Sequence, residues 1–510
     1  MRLSIFVAAV VIAVGVIASP RRYNNSDLLV ETTVGTVKGV VSEETDNVRI
    51  FRGIPYAEPP TGELRFRPPL KKARATKTID AAEWGPACPQ ITYKEDNIYS
   101  LYFKGFAKPD DVPTAEDCLH VNIWAPRSKG RNEELKPVLI FIHGGGYNAG
   151  GNSFPYYDGG RLVQDNQDVI SVSLNYRLNV FGFPSAAGLN GRQLNPGFMD
   201  QRLAIEWTRD NIQAFGGDPK RMLLFGESAG GGSVDSYTYA YAEDPIVSAV
   251  MPISGVTQSF GAPEMAPSNF TFVAQKLGCP LSKDEELACM QSKPWEDIED
   301  VVNQYNETQN GGKALSFQPT VDDQNLFSDF AARLAAGRVA KVPVLIGNSD
   351  REGASLAAND LGPAVSETNK PSEQAISAVT NGVFNCPAAN ATAVRAQAGL
   401  PVWRYRYFGV FPNLNPFTWL GTWHSAILPT LFNTADRYGI ENTPAQDEAA
   451  AYLQSILVSF ARDPVHGLAE MGFPEYDPAG NNLVQLVKGC SWCRSMRAPA
   501  MMERVDKSLI

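Results

Sequence analysis

Histidine is scarce in this chain, with four in 510 residues, at His120, His143, His424 and His466. Any chemistry that needs an imidazole as a base has only these places to find one. Cysteine is nearly as scarce and odd in number, seven in all. The spacing Cys490-Ser491-Trp492-Cys493 has no second pair and no histidine cluster to complete it, so no metal centre is expected. Positive charge is in deficit. The 45 Lys and Arg against 55 Asp and Glu leave a net charge of −10. Nucleic acid and anionic membrane both need a basic face, so neither is expected as a partner. Long apolar runs are missing beyond the N-terminus, which excludes an integral membrane span. The chain also lacks an internal repeat, a low-complexity tract and a clean linker, so residues 23–510 are read as one large domain rather than several.

The one long apolar run follows Arg2 and covers residues 3–17, with Val16 and Ala18 at suitable cleavage positions. It reads as a secretory signal peptide over residues 1–18, and Arg21-Arg22 offers a second processing site. The tail MMERVDKSLI carries no lipid-anchor signal. In an oxidising compartment the cysteines are expected to pair, with at least one left over. Four Asn-X-Ser/Thr sequons, at Asn24, Asn269, Asn306 and Asn390, become N-glycan candidates in that setting.

Glycine is plentiful, with 43 residues, and so are short apolar runs of the kind found in buried parallel strands. Residues 34–41 and 48–51 suggest an opening pair of strands, and 51–60 is too proline-rich for regular structure. Further strands are predicted at 121–124, 137–142, 168–174, 222–225, 249–253, 342–346 and 402–407. Helices are predicted at 200–215, where Met199, Leu203 and Trp207 recur every four residues and Gly216-Gly217 ends the run, and around 449–460. Strands alternating with helices imply an α/β fold with a large, mostly parallel central sheet flanked by helices and carrying insertions.

One stretch organises the rest. The strand 222–225 runs into Gly226-Glu227-Ser228-Ala229-Gly230, a GxSxG pentapeptide, and then into small residues suited to a helix start. A strand that turns sharply into a helix exposes its central serine, and the flanking positions must be glycine because a Cβ there would collide. Chance supplies roughly a quarter of a GxSxG in a chain this rich in glycine, so the flanking elements carry the inference. A serine needs a base to become a nucleophile. In the strand-turn-helix arrangement the order along the chain is Ser, acid, His, which leaves His424 and His466. His466 follows the late helix in a turn and reads as a surface residue. His424, in a loop among aromatics, is the candidate base. The acid is expected just past a strand end between Ser228 and His424, and Asp350 and Glu352 both qualify on spacing. An oxyanion needs backbone N–H donors already aimed at it. His143-Gly144-Gly145-Gly146-Tyr147 follows strand 137–142, so the expected donors are Gly145, Gly146 and Ala229.

These pieces resemble a type-B carboxylesterase/lipase, the cholinesterase-like branch of the α/β-hydrolases, and above all its secreted fungal members. The likeness is carried by GIPYAEPPTGELRF at 53–66, EDCLHVNIW at 116–124, HGGGY at 143–147 and NYRLNVFGF at 175–183. It continues in DQRLAIEW at 200–207, FGGDP at 215–219, GESAGG at 226–231 and REG at 351–353. The resemblance implies Glu352 rather than Asp350 as the acid and His424 as the base. It places a hydroxyl, Ser254, near the acid and a carboxylate, Glu227, behind the nucleophile. It pairs Cys88 with Cys118 and Cys279 with Cys289, leaving Cys386 to join Cys490 or Cys493. The family commonly has an acidic residue three positions past the histidine, where this chain has Ile427. The implied activity is cofactor-free hydrolysis of small carboxylic esters through an acyl-enzyme. Two alternatives stand beside it: a lipase with a lid between Cys88 and Cys118, and a non-catalytic adhesion module on the same fold.

Overall fold

The computed structural model of the chain describes residues 25–488 apart from 92–95, 128–132, 190–192, 258–267, 309–314, 316 and 480–481. Among the described residues the strands run, in chain order, β1 Leu29–Thr32, β2 Gly35–Lys38, β3 Val40–Val41, β4 Val48–Pro55, β5 Ile79–Asp80, β6 His120–Pro126 and β7 Lys136–Ile142. They continue as β8 Ile170–Leu174, β9 Gly217–Glu227, β10 Ala249–Ile253, β11 Val344–Ser349, β12 Val402–Tyr407 and β13 Val484–Leu486. Ten of them form one sheet in the order β3-β4-β6-β8-β7-β9-β10-β11-β12-β13, and β1, β2 and β5 form a small second sheet. From β8 to β13 every pairing is parallel, while β6, β4 and β3 extend the sheet antiparallel. This is the α/β-hydrolase architecture expected from the motifs.

The period of two along each central strand builds the two faces. Val138, Ile140 and Ile142 of β7 join one apolar core, and Leu139 and Phe141 join the other. In β9, Met222 and Leu224 face the first core and Leu223 and Phe225 the second. Each face is covered by helices whose apolar stripes match it. Leu203, Ala204 and Trp207 of the helix Pro196–Asn211, with Val234 and Tyr237 of the helix Ala229–Ala240, close the first. Leu453, Ile456, Leu457 and Phe460 of the helix Pro444–Arg462 close the second. Burial on both faces explains why the central strands read as unbroken apolar runs rather than alternating ones.

Three local expectations change. The run 34–41 is not one strand: it breaks at Gly39, where a Cβ would lie 2.6 Å from Ile50 O and the Phe51 ring, and its halves enter different sheets. The proline-rich 51–60 is regular as far as Pro55, because Gly53 adopts φ +63° in a bulge and pairing with β6 resumes at Ile54. The helix predicted from 200 starts at Pro196, and a 3-10 turn over Ile212–Phe215 carries it to Gly216 at φ +95°.

Disulfides join Cys88 to Cys118 and Cys279 to Cys289, as the resemblance implied. Cys386 is exposed and unpaired among the described residues, and the partners suggested for it, Cys490 and Cys493, lie outside them, as do the signal-peptide residues and Asn24. Among the described residues no helix is long and apolar enough to cross a membrane.

Candidate active site

The site gathers at the carboxyl ends of the parallel strands, where open α/β sheets leave a crevice. β9 ends at Glu227, and the next residue, Ser228, stands at φ 58°, ψ −121° ahead of the helix Ala229–Ala240. A non-glycine residue held there stores roughly 1–3 kcal/mol of strain. The surroundings leave the turn no room to relax. A Cβ on Gly226 would meet Gly230 O at 2.6 Å, one on Gly230 would meet Ile142 O at 2.1 Å, and one on Gly255 would meet Ser228 O at 2.0 Å. Ser228 N donates to Ile253 O at 2.9 Å, tying the elbow to β10.

His424 comes from the loop after β12, and its Nε2 lies 2.9 Å from Ser228 Oγ. Its Nδ1 lies 2.6 Å from Glu352 Oε2. A carboxylate only accepts, so Nδ1 carries the proton and Nε2 is free to accept from the serine. Glu352 follows the end of β11, is fully buried, and has its other oxygen bonded by Ser254 Oγ at 2.6 Å and Ser349 N at 2.5 Å. Asp350, the other acid that the spacing allowed, turns outward to an ion pair with Arg406 at 3.0 Å. The glutamate is the one that reaches the imidazole.

Glu227 sits directly before Ser228 in the chain. Its Oε1 is 3.5 Å from His424 Nε2 and accepts from Ser425 Oγ at 2.7 Å. Burial raises the Glu227 carboxyl to about 7, against the lowering field of His424 and the Ser425 hydrogen bond. For His424, burial pulls the value down, but the charge of Glu227 and the bond and charge of Glu352 outweigh it and raise it above the ordinary 6.5. Ser425, at φ +75°, is a functional candidate that the motifs did not mark. Its only signal was adjacency to His424. Ile427, where the resemblance expected an acid, is buried in the apolar core.

The glycine loop follows β7. Gly145 takes φ +103°, and a Cβ there would lie 2.0 Å from Ala149 O; Gly146 takes φ +61°. Among the described residues the amides of Gly145, Gly146 and Ala229 donate no hydrogen bond, although the carbonyl of Gly145 accepts from Asn148 and Ala149. Gly144 packs against the elbow itself, where a Cβ would be 2.9 Å from Ser228 Cβ. The glycine loop and Ser228 are therefore in contact. The other histidines stand apart. His143 stacks on Tyr176 at 4.6 Å and is pushed down to about 4 by burial. His120 lies buried in β6, and His466 is exposed beside Asp463 at 3.1 Å.

The aromatic stretch between Cys88 and Cys118 packs against the loop that carries His424. Phe103 stacks on Trp423 at 3.8 Å, and Tyr99 and Phe106 meet the same indole edge-on. Phe103 and Trp423 are fully buried, and each contributes roughly 1.5–3 kcal/mol.

Comparison with known proteins gives a family and several relatives. A family model described as "Carboxylesterase family" matches residues 26–374. The chain is 38% identical over 459 residues to a chlorogenic acid esterase from Aspergillus niger, covering 89% of this chain and 86% of that protein. It is 35% identical over 488 residues to secreted lipase 5 from Gibberella zeae, covering 91% of each. It is 30% identical over 478 residues to a para-nitrobenzyl esterase from Bacillus subtilis, covering 88% of this chain and 92% of that one.

Proposed function

The chain belongs to the carboxylesterase family and is a carboxylic ester hydrolase; from that premise we propose that it is a secreted serine esterase working through an acyl-enzyme on Ser228. Ser228 Oγ attacks the ester carbonyl while His424 Nε2 takes its proton. Glu352 holds the imidazole in the tautomer that leaves Nε2 free, and stabilises the cation as it forms. The oxyanion is received by the amides of Gly145, Gly146 and Ala229, fixed in place before the charge appears. His424 returns the proton to the departing alcohol. Water then enters and attacks the acyl carbon while giving a proton to His424; the bond from the acyl carbon to Ser228 Oγ breaks, His424 returns that proton to Ser228 Oγ, and the acid is released. No cofactor takes part in these steps.

The observation that carries this reading is the unbroken chain from Ser228 Oγ through His424 to Glu352, at 2.9 and 2.6 Å, starting from a strained serine. The relatives are named for chlorogenic acid, lipase and para-nitrobenzyl activities, whose acyl and alcohol parts differ widely. Small carboxylic esters are therefore the proposed class. Secretion is supported by the N-terminal apolar run, the two disulfides and the relative named as secreted. N-glycans are proposed at Asn24, Asn269, Asn306 and Asn390, of which Asn390 is exposed on its helix. A single catalytic domain over 23–510 is supported by a sheet that draws strands from Val40 through Leu486. Incubation with a fluorophosphonate followed by peptide mapping tests the reading: label on Ser228 with loss of esterase activity is expected, and label elsewhere overturns it.

A further inference from the structure

The segment between Cys88 and Cys118 leaves two readings open, a lid that moves or a wall that does not. Its short helix, Ile98–Tyr102, is closed at the start by Asn97, whose side chain accepts from Tyr99 N and Ser100 N. The next residue in from that helix start is the informative one. Tyr99 Oη lies 2.8 Å from Ser355 Oγ and 3.2 Å from His424 O. A carbonyl can only accept, so the phenol donates to His424 O and accepts from Ser355. Ser355 belongs to the helix Gly353–Ala358, which begins directly after Glu352. One hydroxyl thus touches the main chain of the proposed base and the helix behind the proposed acid.

The rest of the segment is seated on the same loop. Phe103 is stacked on Trp423, the neighbour of His424, at 3.8 Å, and Ile98 and Phe103 are fully buried. Gly105 lies so close to Tyr156 that a Cβ would be 2.3 Å from its ring. Burial also raises the Tyr99 phenol far above its ordinary value, so it remains a donor through neutral pH. A segment that lifted would take Tyr99 off the carbonyl of the base and uncover Trp423 at the moment the base had to be in place.

We propose that Tyr99 is a positioning residue that holds the His424 and Glu352 turns in register, and that residues 96–106 form a fixed wall, so that esters dissolved as monomers are turned over without activation at an oil interface. This rests on the Ser228, His424 and Glu352 reading above. Tyr99→Phe keeps the ring and removes only the hydroxyl. It is expected to lower kcat about tenfold with KM within about twofold, because a small displacement of the base is felt in the chemical step rather than in binding. The rate at which a fluorophosphonate labels Ser228 should fall in the same proportion, and Tm by no more than about 4 °C. Ser355→Ala, which leaves the bond to His424, is expected to lose only about two- to threefold in kcat, and it carries the test should the first variant fold poorly. On a short-chain triacylglycerol the wild-type rate should saturate smoothly as the concentration passes the solubility limit. An unchanged kcat in Tyr99→Phe, or in Ser355→Ala where that variant carries the test, overturns the positioning role. A stepped rise in rate at the solubility limit overturns the fixed wall. Wild type that is unlabelled at Ser228 would instead defeat the catalytic reading itself, a separate failure.

Discussion

The elbow at Ser228 and the loop around His424 meet at 2.9 Å, yet they are held in opposite ways. The elbow is fixed by backbone. Gly226, Gly230 and Gly255 each lie where a Cβ would come within 2.6 Å of a carbonyl oxygen, and a strand and a helix enforce the strained φ between them. The histidine loop is fixed by contacts from distant segments, most of them made by side chains. Trp423 is clasped by Phe103, Ser425 Oγ reaches Glu227, Arg351 N donates to Thr422 O, and the Phe384 ring sits 4.8 Å from the imidazole. The strained turn at Ser228 is written largely in residues 226–230, with Gly255 packed against it. The proposed base, which meets Ser228 from 196 positions away, needs supports from all over the chain.

Breaking the contact between these two regions should have the largest effect. Ser228→Ala and His424→Ala are each expected to lower kcat roughly a million-fold, and the double variant no further, because the pair acts as a unit. Steady-state rates on a nitrophenyl ester would show whether the losses fail to add. Next comes the choice of acid. Glu352→Gln should lower kcat about 10⁴-fold by presenting the wrong partner to Nδ1, while Asp350→Asn, which touches only the outward pair with Arg406, should stay within about twofold.

Both modes of support should register in thermal melts. Gly230→Ala, with its Cβ 2.1 Å from Ile142 O, should destabilise by about 3 kcal/mol through overpacking. Trp423→Ala should cost about 3–5 kcal/mol as a cavity and also depress kcat, since the residue it removes is the neighbour of the proposed base. The smallest effect concerns pH. His424 must be neutral to accept a proton, and its value is raised, so kcat/KM should fall with acid along a limb above pH 6.5. Glu227→Gln takes away one of the two negative fields that raise it, and the limb should move to lower pH. Stability follows the same groups. The Glu227 carboxyl is raised from 4.5 to about 7 in the fold, so its contribution is full below pH 4.5 and is lost as pH rises through about 7. A pH series of melts on wild type and Glu227→Gln would show this loss only in the former.

The comparison also explains what could be read from the sequence. Central strands such as β7 and β10 are buried on both faces, so their apolar runs were plain, and the glycines of the elbow and of 144–146 announced close backbone approach. Edge elements were not legible, because β5 and β13 are only two and three residues long and take their form from neighbours. Residues 34–41 looked like one strand because nothing in their hydropathy marks the collision at Gly39. Within the site, Ser228 came from a local motif, but His424 came from elimination among four histidines, and Glu352 was separated from Asp350 by resemblance alone. Ser425 and Tyr99 are not singled out by the sequence, since a lone serine and one aromatic among several carry no spacing signal until the chain is folded.

The most direct test of the proposed chemistry is a crystal structure of the phosphonate adduct. The account predicts a covalent bond at Ser228 Oγ, His424 still paired with Glu352, and the phosphonyl oxygen about 2.7–3.1 Å from the amides of Gly145, Gly146 and Ala229. A phosphonyl oxygen turned away from those three amides, or an imidazole released from Glu352, would contradict it.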